Sequence, residues 1–162
     1  IVGAIQGAAI GGGFGLAMTP DFRVACPESR FSANFTRMGY HPGFGLTVTL
    51  PETIGRKHAE RMLYNGCRVK GEEAFAMGLA DVLVDGPKNV RPAAIELARE
   101  IAQCSPLGVV ACRTIMRDGY ADRIAAATDK ELANQNSLRG TADFTEGVEA
   151  MTDRRLPHFI GA

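Results

Sequence analysis

Three consecutive glycines, Gly11-Gly12-Gly13, stand between an apolar run (Ile1 to Ile5) and Leu16-Ala17-Met18, with Gly7 and Gly15 close on either side. Glycine leaves the backbone bare, so a ligand can rest directly on peptide N–H groups there. With a helix beginning at Leu16, the turn also faces the positive end of the helix dipole, where the first amides lack internal acceptors. A strand, a glycine turn and a helix start, in that order, suit an anion or a developing oxyanion. The same residues also suit a tight turn whose only task is to pack helix closely on strand. A dinucleotide-binding unit does not fit. Its GxGxxG spacing fails, because Leu16 and Met18 stand where a later glycine is needed, and no acidic ribose partner closes a later strand.

Other reactive groups are sparse. Cys26, Cys67, Cys104 and Cys112 form no CxxC pair and no zinc-ligand spacing, so no metal site is expected. Their apolar or mixed neighbours are those of free buried thiols, which points to a reduced, cytoplasmic setting. Asn34-Phe-Thr36 spells a glycosylation sequon, read as chance in the absence of a secretory signal. Lys plus Arg and Asp plus Glu both number 18, so no charge excess suggests nucleic acid or an acidic membrane surface. No apolar run approaches the roughly 20 residues of a membrane helix. With 162 residues, 46% apolar and 22% charged, the chain reads as one soluble globular domain. It opens at Ile1 inside an expected buried strand, whereas domains usually begin with something exposed; an N-terminal portion is therefore expected to be missing.

Several elements must position the glycine block. Ile1 to Ile5 reads as a buried strand, Phe22 to Cys26 as a second ended by Pro27, and Phe31 as the start of a short third. Met38 to Gly45 is a Gly/Pro-rich loop, and Gly45 to Leu50 a helical turn with Pro51 beside it. Arg56 to Tyr64 is amphipathic, with Ala59, Met62 and Leu63 on one face and Gly66 as its stop. A short helix over Gly71 to Met77, closed by Gly78, precedes a strand over Leu79 to Val84. Beyond that, Val90 to Cys104, Leu107 to Asp118, Ala121 to Leu138 and Ala142 to Met151 are all helical in period, broken by Pro106, Gly119 and Gly140. A mixed half over residues 1–88 thus precedes a helical tail over 89–162, whose helices suit packing on another subunit.

Three blocks resemble the crotonase superfamily, the enoyl-CoA hydratase/isomerase group. They are Ile5 to Met18 with Asp21; Leu63-Tyr-Asn-Gly66 with Val69 and Glu73 to Ala80; and Glu146-Gly147 with Arg154-Arg155, Pro157 and Phe159. Their order and spacing match and span nearly the whole chain. The resemblance implies an α/β fold with a crotonase-like ββα spiral core, present here without its first strands, and a C-terminal helical trimerisation region. Members carry roughly 90 further residues ahead of Ile1, within the size of one larger domain. It implies an acyl-CoA substrate, no cofactor beyond that CoA thioester, and assembly as a homotrimer or a dimer of trimers.

By the same resemblance, the Gly12 N–H helps to hold the thioester carbonyl oxygen, with Gly11, Gly13 and Gly15 around the substrate. The family's catalytic carboxylates fall on Gly15, Phe35 and, in some members, Gly43, and all three positions lack one. A glycine or a phenylalanine cannot transfer a proton, so hydration by two carboxylates is not available. On the neighbouring loop, His41 and Tyr40 have the proton chemistry to substitute; the alternatives are a histidine that caps the turn and a tyrosine that packs. Arg37 suits a substrate carboxylate or a plain exposed position, and Phe35 suits a pocket wall. Asp21 is expected to pair structurally. Arg154, Arg155 and Lys130 suit CoA phosphates or solvated surface charge. Two functions follow: an acyl-CoA enzyme, lyase or isomerase, acting through enolate stabilisation, or a non-catalytic acyl-CoA-binding or assembly protein.

Overall fold

The computed structural model describes residues 1–162. Six strands form two small sheets. In the first, β1 (Val2–Ile5), β3 (Phe22–Ala25) and β6 (Val82–Leu83) run parallel with β3 central. In the second, β2 (Ala8–Ile10) pairs parallel with β4 (Arg30–Ser32), and β5 (Val69–Lys70) closes the edge antiparallel. A strand of the first sheet, a strand of the second and then a helix recur along the chain. β1, β2 and α1 (Gly12–Ala17) make one turn of this spiral. β3, β4, a 3₁₀ turn (Thr36–Met38) and α2 (Leu46–Asn65) make the next. The registers Val2↔Phe22 and Ala8↔Arg30 stack one turn on the other.

The main core lies between the second sheet and the helices, and includes Phe14, Phe31, Leu46, Leu50, Met62, Val69 and Leu79. Phe14 and Phe31 meet edge to face at 5.9 Å, fixing α1 against β4. A smaller cluster of Val24, Cys26, Val90 and Ala94 seats α4 (Pro87–Ala102) on the first sheet.

Several expectations are corrected. The helix at the glycine block starts at Gly12 rather than Leu16, so Gly12 and Gly13 are its first turn and Leu16 and Ala17 its end. Glycine is a poor helix former, but burial of Phe14 and Ala17 overrides propensity there. Ala8–Ile10 forms a strand that its glycine-rich surroundings conceal. β1 is half-buried rather than buried, and Ile1 is exposed. The strand expected over Leu79 to Val84 shrinks to two residues. The helical turn at Gly45 and the amphipathic helix beyond it are nearly continuous, broken only at Gly55, whose φ of 74° and ψ of 159° bend the chain between them. Of the thiols only Cys26 is buried; Cys67 is half-buried, and Cys104 and Cys112 are exposed.

Elsewhere periodicity reads true. Ala59, Met62 and Leu63 are buried together, and Gly66 ends α2 in the left-handed conformation. After α3 (Gly71–Ala76) and α4, the tail consists of α5 (Pro106–Met116), α6 (Tyr120–Leu138) and α7 (Ala142–Asp153). α7 lies on the 3₁₀ turn so closely that a β-carbon at Gly147 would stand 2.3 Å from the Met38 backbone. α6 crosses α2, and Asp21 pairs with Arg113 of α5 and with Arg117 just beyond its end at 2.9 and 2.8 Å. No helix is long and apolar enough to cross a membrane.

Candidate active site

The glycine block is positioned from both sides. β2 ends at Ile10, and the Gly11 N–H extends the ladder to the Ser32 carbonyl of β4 at 2.9 Å. Gly11 then takes φ 56° and ψ −121°, and its carbonyl accepts from the N–H groups of Phe14 and Gly15 at 3.0 and 3.1 Å. Gly12 and Gly13 are the first two helical residues, so no intrahelical carbonyl is available to their N–H groups. Around Gly13 there is open space: a β-carbon added there would meet nothing within 4 Å. Buried Phe35 closes the back, with Cζ 3.9 Å from where a β-carbon on Gly11 would stand. The Asn34 side-chain oxygen is 3.2 Å from the same point, buried and without a hydrogen-bond partner.

The other wall is Phe44, which sequence reasoning did not single out. Its φ is +63°, and the residue is 59% exposed. The ring lies lengthwise along the first turn of α1. A β-carbon on Gly15 would come within 2.4 Å of Phe44 Cβ, and one on Gly12 within 2.9 Å of its Cζ. No side chain fits at Gly15 while Phe44 is there.

The loop carrying Phe44 is held by α6. Glu131, buried on that helix, accepts from the Gly45 N–H at 2.8 Å and from the N–H and hydroxyl of Thr47 at 3.1 and 2.6 Å. It thereby caps the start of α2 from another element, a negative charge at the positive end of the dipole. The Gln135 amide donates to the His41 carbonyl at 3.0 Å, pinning the other end of the loop. Both contacts join residues more than 80 positions apart, so only their residue types are visible in the sequence.

Gly11, Gly12, Gly13, Gly15 and Phe35 therefore come together, while the remaining candidates stand apart from them. His41 Nδ1 donates to the Pro42 carbonyl at 2.6 Å, which leaves Nε2 as the acceptor. The ring lines a cleft of about 360 Å³ between α2 and α6, with Thr47, Arg123, Lys130 and Glu131. The Tyr40 hydroxyl accepts from Arg139 at 2.8 Å, and its ring packs on Phe144 with centroids 5.0 Å apart. Arg37 donates to the Asn65 carbonyl at 2.7 Å and lines a separate groove of about 1070 Å³ with Arg68, Arg154 and Arg155. In that groove Arg155 is paired with Glu146, and the guanidinium and the His158 N–H hold the Glu146 carboxyl down at about 2. Gly43, the third position without a carboxylate, abuts the Gln135 amide.

Over residues 1–162 the chain matches the family model described as enoyl-CoA hydratase/isomerase. It is 31% identical over 160 residues to the crotonyl-CoA hydratase of Syntrophomonas wolfei, covering 99% of this chain and 61% of that protein. It is also 31% identical over 172 residues to the (E)-benzylidenesuccinyl-CoA hydratase of Thauera aromatica, covering 100% and 63%. Among solved structures, a carnitinyl-CoA hydratase from Mycobacterium avium superposes with a TM-score of 0.89 at 26% identity, over 99% of this chain and 62% of that one. The chain thus spans less than two thirds of the length of these relatives, and it shares their mixed α/β crotonase-like fold. On this match along its whole length, the chain belongs to the enoyl-CoA hydratase/isomerase family.

Proposed function

We propose that the chain supplies the oxyanion site of an acyl-CoA enzyme, with the Gly12 N–H donating to the thioester carbonyl oxygen as enolate charge develops on it. The observation that carries this reading is the first turn of α1: two helix-start amides beside open space at Gly13, backed by Phe35. A donor aimed at such an oxygen contributes about 3–4 kcal/mol to the transition state. The substrate is an acyl-CoA, in keeping with the hydratases named above, and no group beyond the thioester is needed. Gly11 and Gly13 give the backbone its close approach to substrate, whereas the bare backbone at Gly15 is covered by Phe44.

Proton transfer needs a group other than the family's carboxylates. No carboxylate side chain stands at Gly15, Phe35 or Gly43, and the space at Gly15 is taken by Phe44. His41, with Nε2 as its acceptor, is the proton carrier on this reading, which requires the acyl group to reach from the Gly12 turn to the α2–α6 cleft that the ring lines; Tyr40 and Arg37 hold the loop and the α2 terminus through Arg139 and Asn65. The crowding at Gly15 also favours a second reading, a protein that binds acyl-CoA without turning it over. The exposed apolar side of α5 supports packing of the tail in a homotrimer.

The test is incubation of the full-length polypeptide with crotonyl-CoA and longer enoyl-CoAs, with products read by mass. Gain of one water, abolished by His41→Ala, is the expected result for a lyase. A retention shift at constant mass, also abolished by that variant, identifies an isomerase. Turnover unaffected by His41→Ala removes His41 from the chemistry, and acyl-CoA binding without turnover selects the second reading.

A further inference from the structure

Phe44 is placed in a way that stability does not explain. It is one of only two non-glycine residues with positive φ, a conformation unfavourable for a bulky side chain. It is also more than half exposed, so little of its apolar surface is sheltered in return. Even so, the loop is fastened on both sides of it, by Glu131 to Gly45 and by Gln135 to His41. Beneath it the helix offers bare backbone at Gly12 and Gly15, so the ring lies lengthwise along the turn with its tip over Gly12. An aromatic ring held in a strained backbone, seated on glycine and open on its outer side, is built to be touched by something else.

We infer that Phe44 is the specificity-determining wall of the acyl pocket, selecting acyl groups that are flat and apolar next to the thioester. The inference rests on the oxyanion role proposed for Gly12. With the carbonyl oxygen on that N–H, the carbons next to the thioester lie near the ring's tip. Planar enoyl or aroyl carbons stack on such a face. A hydroxyl there would lose water and find no partner on the ring, so hydroxyacyl groups are disfavoured. The pocket therefore discriminates 2-enoyl-CoA and aroyl-CoA from 3-hydroxyacyl-CoA.

The test is calorimetric titration of the full-length polypeptide with free CoA, crotonyl-CoA, benzoyl-CoA and 3-hydroxybutyryl-CoA, in wild type, Phe44→Ala and Phe44→Leu. Wild type is expected to bind crotonyl-CoA and benzoyl-CoA about tenfold tighter than 3-hydroxybutyryl-CoA. Phe44→Ala should compress that ratio below about threefold while the affinity for free CoA stays within about twofold, which also reports an intact fold. Phe44→Leu, apolar but not flat, should keep the crotonyl-CoA preference and lose the benzoyl-CoA one; it carries the test alone if the alanine variant does not fold. An unchanged ratio in both variants overturns the inference, as does uniform tightening of every acyl-CoA, which would make the ring a plug. Acyl-CoAs binding no tighter than free CoA in wild type would instead overturn the oxyanion reading, and this inference with it.

Discussion

At the scale of single residues, the site is decided by which positions carry no side chain. Gly15 and Phe44 exclude one another: a β-carbon at 15 and the Phe44 β-carbon would stand 2.4 Å apart, closer than any real contact. Gly15→Ala is therefore expected to destabilise the protein by about 1–3 kcal/mol, the usual effect of overpacking. Phe44→Gly should remove most of that penalty, because it removes the clashing atom and relieves the positive φ at the same time. Chemical denaturation of the two single variants and the double variant measures the coupling directly. Additive effects would mean that the two residues do not compete for space. The glycine run was legible in the sequence as a place for bare backbone. Its occupant was not, because nothing in His41-Pro-Gly-Phe-Gly45 says that its aromatic ring folds back onto a helix 30 residues earlier.

Among the elements, Glu131 ties the α6 helix to the start of α2 and so to the loop that carries Phe44. It is buried and accepts three hydrogen bonds, two of them from backbone N–H groups that have no other acceptor at a helix start. Glu131→Ala is expected to lower stability by about 3 kcal/mol, since it removes charge-assisted bonds and leaves buried donors unpaired. Glu131→Gln should lose less, because the amide oxygen can still accept. Melting curves and denaturant titrations rank the two; an alanine variant as stable as wild type would deny the tie. This tie also marks where sequence reading stops. Helix ends set by local signals, such as Gly66, and faces set by period, such as Ala59, Met62 and Leu63, were found. β2 and the true start of α1 were not, because each exists through pairing or burial against distant residues, at Arg30–Ser32 and in the core around Phe14. Glu131 reads as one more charge on a surface helix, and only the fold turns it inward.

Over the whole molecule, burial is distributed unevenly, and α5 is the extreme case. It buries none of its residues, and Leu107, Val110, Ile115 and Met116 face outward. What holds it to the rest is Asp21, through Arg113 and Arg117. Burial pushes the Asp21 carboxyl up, and the Arg113 hydrogen bond and the Arg117 charge act against it to hold the carboxyl down. A carboxyl with a lowered folded pKa stabilises above its unfolded pKa, and that contribution is lost as pH falls through the folded value. In the dissociated, monomeric chain, amide protection in α5 is thus expected to be far lower than in α2 at neutral pH. It should fall further below about pH 4, while the core around Leu50 and Met62 keeps its protection. Hydrogen exchange, expressed as protection factors so that intrinsic pH effects cancel, provides the measurement, and Asp21→Asn should reproduce the acid behaviour at pH 7. Strong neutral-pH protection in α5 that survives Asp21→Asn would mean that another surface covers Leu107, Val110 and Ile115. Concentration-dependent protection would then identify that surface as a second copy of the chain, because only association responds to dilution.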